Sequence, residues 1–163
     1  MDPQIPLEKS SRAFDPEQDD IRDDGMHEVA DDLAYRRLAI ANVLFYGLPE
    51  ARDQNWVLID AGVPGSTRSI LHAAEERFGP DRPPAAIIMT HGHFDHVGAL
   101  KNLVERWRVP VYAHALEMPY LNGTKAYLPP DPTVGGGLMS LLSPLYPRGP
   151  VDVTPWLAEL PVD

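Results

Sequence analysis

The stretch Thr90-His91-Gly92-His93-Phe94-Asp95-His96-Val97-Gly98 constrains this chain more than any other. It places four side chains able to bind a metal, His91, His93, Asp95 and His96, within six residues. Neutral imidazole and carboxylate are good donors to zinc and similar divalent ions. Burying so many polar groups without partners is costly, so the cluster belongs on a loop held between rigid elements. The sequence supplies both supports. Residues 85–89 form a short apolar run suited to a buried strand, and Leu100, Leu103, Val104 and Trp107 recur at helical spacing, which predicts a helix over about 97–107. Gly92 is expected to permit the tight turn that lets His91 and His93 converge, and Gly98 to let the helix start close against the loop.

The flanking pattern is an α/β alternation. Residues 29–38 and 40–46 are read as two strands, the second nearly continuously apolar. Gly47-Leu48-Pro49 breaks the run. Residues 56–60 read as a third strand closed by Ala61-Gly62. Ser66 is the expected N-cap of an amphipathic helix over about 67–78, with Ile70, Leu71, Ala74 and Phe78 on one face and Gly79-Pro80 as its stop. Residues 110–113 are a further strand. Strand, helix, strand, helix, strand is the order of an α/β layered domain. Residues 122–150 are rich in Pro and Gly and read as an insert or cap, with 138–145 as a short helix or apolar flap. The run Gly135-Gly136-Gly137 lacks a following Walker lysine and is not read as a phosphate cradle.

Charge is uneven. Residues 1–32 carry eleven acidic side chains against Lys9, Arg12 and Arg22, and contribute −8 of the net −10. Residues 1–26 are accordingly read as an acidic, disordered extension. Its run Asp19, Asp20, Asp23 and Asp24 lacks the spacing of a calcium loop. The remainder is nearly neutral and has no Lys/Arg cluster, so no nucleic-acid partner is expected. No apolar run approaches the roughly 20 residues of a membrane span, and no secretory leader pattern is present, so no membrane association is expected and cytoplasm is the expected compartment. With no cysteine, thiolate ligands and disulfides are excluded.

The string His-x-His-x-Asp-His followed by Gly98 resembles the hallmark of the metallo-β-lactamase-fold metallo-hydrolase superfamily. Leu58-Ile59-Asp60-Ala61-Gly62 resembles that family's earlier strand ending in Asp-x-Gly. The resemblance covers about 27–121, with 122–163 matching only as a variable insert. It implies an α/β (α+β layered) fold, the N-terminal half of an αββα sandwich, occupying 27–163. It implies that His91 and His93 bind a first metal and Asp95 and His96 a second. Asp95 would also be the catalytic carboxylate that orients the nucleophile or carries its proton. Asp60 would buttress the loop without touching metal; a plain strand-end turn role is the equal alternative. The implied cofactor is Zn2+, two ions per complete site, with Fe or Mn as alternatives. The implied reaction is attack by a metal-activated hydroxide on an ester, thioester, lactone or amide-type small-molecule substrate, with phosphoesters also in range. Iron-dependent, oxygen-using relatives share the motif.

The rest of such a site, a third histidine for the first metal, a bridging Asp and a last histidine, is missing from these 163 residues. Only His114 follows the motif, outside any Gly-His-Thr-like turn, and a helix-start or packing role is expected for it. The chain is therefore expected to be the first half of a longer hydrolase, binding zinc weakly and hydrolysing poorly, or not at all, on its own. The expected partner is a complementary C-terminal half or a second copy, drawn to strand residues Ile40, Val43, Phe45, Val57 and Ile59. A non-catalytic half-domain that self-associates or binds such a partner is the competing reading. His72 is expected to be solvated and His27 structural. Met118, Tyr120, Tyr127 and Trp156 are read as packing residues, with a substrate mouth as the alternative.

Overall fold

Alternate residues of a strand face opposite ways, and that rule organises the molecule. A computed structural model describes residues 25–127 and 151–161. Its elements, in chain order, are β1 (Met26–Ala30), β2 (Leu33–Leu38), β3 (Ala41–Tyr46), β4 (Val57–Ile59), α1 (Thr67–Phe78), β5 (Ala86–Met89), α2 (Phe94–Val97), α3 (Leu100–Trp107), β6 (Val111–Ala113), α4 (Met118–Leu121) and β7 (Leu157–Glu159). The seven strands form one sheet in sequential order. β1 to β4 pair antiparallel, and β4 to β7 pair parallel. The fold is thus α/β and layered.

One sheet face carries Ala34, Val43, Phe45, Leu58, Ile87, Met89, Val111 and Ala113, all buried. They share a core with Ile70, Ala73, Ala74 and Phe78 of α1 and Leu100, Leu103 and Val104 of α3. Trp56, 1% exposed, seals one end of this core. It stacks on Phe78 at 4.3 Å and meets Trp107 edge-on at 5.7 Å. Its Nε1–H donates to the Arg82 carbonyl. Truncating such a residue typically costs roughly 3–5 kcal/mol. Arg77 of α1 is a buried cation. It pairs with Glu28 of β1 at 2.5 Å and donates to the carbonyls of Asp31 and Gly47, tying the first hairpin to the helix layer.

The opposite sheet face carries a second row. The registers align Tyr35, Leu44, Ile59, Ile88 and Tyr112 across five strands, each only half-buried. Grouping Val43 and Phe45 with Val57 and Ile59 as one uncovered surface was therefore incorrect. Period-2 alternation sends Val43 and Phe45 into the helix-covered core, where both are fully buried.

Several boundaries differ from the sequence expectation. The single strand over 29–38 divides at a turn, Asp31-Asp32, into β1 and β2. Ser66 sits at the N-cap but does not cap: its hydroxyl donates to the Val63 carbonyl at 2.7 Å. β7 is three residues long, too short to show a period. The extension at 1–24, the insert at 128–150 with its Gly run and 138–145 segment, and residues 162–163 lie outside the described residues. No described helix is long and apolar enough to cross a membrane.

The helix expected over 97–107 is broken at Gly98-Ala99 because two amides turn to another element. Gly98 N–H donates to the Gly62 carbonyl at 2.7 Å, Ala99 N–H to that of Ala61 at 3.1 Å, and Ala61 N–H returns to the His96 carbonyl at 2.7 Å. This lock holds the motif loop against the end of β4. It requires glycine at 98, where a Cβ would lie 2.1 Å from both Val63 C and Pro64 N. Gly98→Ala is expected to cost about 3 kcal/mol or more, at or above the upper end of ordinary overpacking. Urea denaturation of the purified variant checks this, and wild-type stability would refute the lock.

Candidate metal centre

β4 and β5 lie side by side and parallel, so their C-terminal ends deliver Asp60 and Thr90 to the same place. Asp60 N–H donates to the Ile88 carbonyl at 2.9 Å. Its φ of 63° is left-handed, a conformation that Asp tolerates better than most residues. That bend turns its carboxylate inward, where the residue is 3% exposed. The carboxylate accepts from Thr90 N–H at 2.9 Å, from the Thr90 hydroxyl at 2.7 Å and from His96 Nδ1 at 2.7 Å.

These bonds fix proton positions. A carboxylate only accepts, so His96 Nδ1 carries its proton. The Thr90 hydroxyl spends its single proton on Asp60. His91 Nδ1, 2.9 Å from that hydroxyl, must therefore be the donor between them. The chain His91, Thr90, Asp60, His96 engages both imidazoles through Nδ1, and among the described residues neither Nε2 has a hydrogen-bond partner. Burial pushes the His91 pKa down, helped by the neighbouring His96 and His93. The bond that His96 donates to Asp60 holds its pKa up, against the effect of burial.

His93 ends the loop as the residue before α2, and its carbonyl receives the N–H of His96 at 2.9 Å. The His91 ring lies 4.0 Å from that of His96 and 4.8 Å from that of His93, nearly perpendicular to the latter. Asp95 Oδ2 is 3.7 Å from His96 Nε2. The four motif residues thus lie together at the end of β5, His91 and His93 on the loop and Asp95 and His96 in α2. Two uncommitted imidazole lone pairs beside a carboxylate suit a divalent ion in kind. Among the described residues, however, no group of three or more His, Asp or Glu side chains is close enough to hold an ion.

Gly92 plays a different part from the one expected. Its φ is not in the left-handed region. It is small because Tyr120 Cβ and Tyr127 Cε2 would lie 3.0 and 3.1 Å from a Cβ there. Its N–H donates to Glu117 Oε2. The sequence reading overlooked Glu117, since it lies 25 residues from its partner with no local signal. Tyr120 and Tyr127 stack on each other next to His93. Met118 and Trp156 pack against the core. His114 is exposed and accepts the Leu116 N–H. His72 is an exposed partner of Glu76, and His27 stacks on Tyr35.

Residues 37–162 match the family model described as the metallo-beta-lactamase superfamily. The chain is 43% identical over 143 residues to the probable metallo-hydrolase YflN of Bacillus subtilis, covering 88% of this chain and 54% of YflN. It is 39% identical over 64 residues to hydroxyacylglutathione hydrolase of Xylella fastidiosa, covering 39% of this chain and 22% of that protein. Among solved structures it is similar to BJP-1, a subclass B3 metallo-beta-lactamase of Bradyrhizobium japonicum. There the TM-score is 0.55 at 21% identity, covering 64% of this chain and 38% of that one, a likeness of fold alone. The chain spans about half the length of YflN.

Removing the Asp60 carboxylate should unsettle the loop with no metal present. Bonds to a buried charge are worth roughly 1.5–3 kcal/mol each. Asp60→Ala is expected to cost about 3 kcal/mol or more, and Asp60→Asn, which keeps an acceptor and tolerates the left-handed bend, clearly less. Chemical denaturation of both variants in chelator decides it; equal costs would show that the acceptor is not what matters.

Proposed function

The chain belongs to the metallo-beta-lactamase superfamily, and on that premise we propose that it supplies one side of a two-metal hydrolytic centre. His91 and His93 would hold the first ion, and Asp95 and His96 the second. The observation that carries this reading is the hydrogen-bond chain through Asp60, which engages Nδ1 of His91 and His96 and, among the described residues, leaves Nε2 of each without a hydrogen-bond partner and able to bind an ion. Zinc suits imidazole and carboxylate donors best, with iron or manganese as alternatives. When bound, such an ion pair supplies an acidified water and a Lewis acid toward a substrate oxygen. Asp60 keeps both imidazoles in the tautomer that donates from Nε2. Asp95 is the catalytic carboxylate: its Oδ2, beside His96 Nε2, would orient the attacking water and accept its proton.

The substrate class proposed is a small molecule with an ester, thioester, lactone or amide-type bond. The match to a hydroxyacylglutathione hydrolase and the absence of a basic cluster support it. Two protein donors per ion are fewer than the three or four of ordinary zinc sites. Water or further donors must complete each shell. On its own the chain is expected to bind zinc weakly and turn over slowly.

A second reading, a non-catalytic half-domain, draws support from the half-buried row Tyr35, Leu44, Ile59, Ile88 and Tyr112 on the face away from the helices. A second copy or a complementary half would cover it.

Zinc titration followed by elemental analysis, with turnover of a thioester, a lactone, a β-lactam and a phosphodiester, separates these readings. Zinc uptake is expected to fall at least tenfold in His93→Ala. Asp95→Asn is expected to lose turnover more than uptake of the first ion. A wild-type chain that takes up no zinc at millimolar concentration and sediments as a stable dimer would favour the second reading. Preferential phosphodiester cleavage would overturn the substrate class.

A further inference from the structure

The Asp60 chain orients His91 and His96 but does not reach His93. Among the described residues the His93 ring makes no hydrogen bond; it is exposed and touches the rings of His91 and Tyr127. A ligand on a long, mobile side chain binds metal well only when something fixes its ring, so the orienting group for His93 must be sought elsewhere.

We infer that Glu117 is a positioning residue for His93, acting through Gly92 and Tyr127. Its Oε2 alone accepts from the Gly92 N–H, between the two motif histidines, at 3.0 Å, and from the Tyr127 hydroxyl in a short bond. Tyr127 places its ring 3.9 Å from that of His93. Tyr120, stacked on Tyr127 at 4.0 Å, backs it. One carboxylate thus fixes the backbone on one side of His93 and the ring that packs on it.

Glu117 can serve because it is itself held. Its N–H donates to the His114 carbonyl and its carbonyl accepts the N–H of Tyr120. It immediately precedes α4, which is anchored by buried Leu121. The Leu121 carbonyl in turn receives the N–H of buried Val153, next to the chain that leads into β7. Gly92 completes the fit, since any larger residue would meet Tyr120 and Tyr127. His93 thereby gains from β6 and α4 the support that its two companions gain from β4.

The inference rests on the metal-site reading for its purpose but not for its test. The experiment compares wild type with Glu117→Ala, Glu117→Gln and Tyr127→Phe. It records histidine ring NMR signals of the metal-free protein and zinc affinity by competition with a chromophoric chelator. In Glu117→Ala the His93 ring signals should lose the upfield shift caused by the Tyr127 ring and broaden, while those of His72 and His27 stay in place. Zinc affinity should fall about 10- to 100-fold, the usual cost of losing an orienting partner. Glu117→Gln, which keeps an acceptor, should recover most of both, and Tyr127→Phe should lie between. Unchanged His93 signals in Glu117→Ala would overturn the inference. So would a Glu117→Gln no better than Glu117→Ala with His93, His72 and His27 all displaced, which marks a structural role only. If the wild type takes up no zinc, the metal reading fails, while the metal-free signals still decide the role of Glu117.

Discussion

The buried carboxylate of Asp60 is the interaction on which the rest of the site depends. It sits at the end of one parallel strand and collects protons from the end of the next, accepting from the backbone and side chain of Thr90 and from His96. A buried carboxylate without partners would be heavily penalised. The loop that provides those partners is therefore held in one shape, with the imidazole tautomers set at the same time. The amides of Gly98 and Ala99 do the same work from the backbone side, by abandoning the helix for the carbonyls of Gly62 and Ala61. Packing in the α1 and α3 layer supplies the rigidity against which both arrangements are braced.

Much of this could be read from the sequence where the signal is local. The run of Ile70, Ala74 and Phe78 gives α1 its residues 67–78, and the motif follows directly on β5, although only His91 and His93 are on the loop while Asp95 and His96 open α2. The reading failed where the deciding partner is distant. Nothing near Gly98 announces that its amide belongs to Gly62, and nothing near Glu117 announces Gly92. A local turn signal was also passed over: Asp31 and Asp32 sit inside the stretch 29–38 read as one strand, and there the chain reverses. The face of a strand residue was misread for a related reason. Val43 and Leu44 are equally apolar, and only the position of α1 and α3 tells which is core.

Support for the loop comes from the two strands that flank β5. Asp60 arrives from the strand before the motif, Glu117 from the segment after β6. The two carboxylates share no residue, but each receives protons from the loop itself, Asp60 from Thr90 and His96 and Glu117 from Gly92. This division explains how so short a string can hold its shape while lying at the protein surface, where His93 is exposed.

The order of the strands has a consequence for how such a centre comes into being. Asp60 and His96 are 36 residues apart, and they meet only after β4, α1 and β5 have closed into a parallel pair. Parallel pairing across a helical crossover is a non-local event, slow to form relative to a hairpin. An ion captured by the loop would stabilise only those conformations in which that closure is complete. During synthesis, every residue from Asp60 to His96 leaves the ribosome before the residues of β6 and β7 do. A nascent chain could thus reach the donor-ready loop as a single β-α-β unit, with Glu117 joining only once α4 has followed.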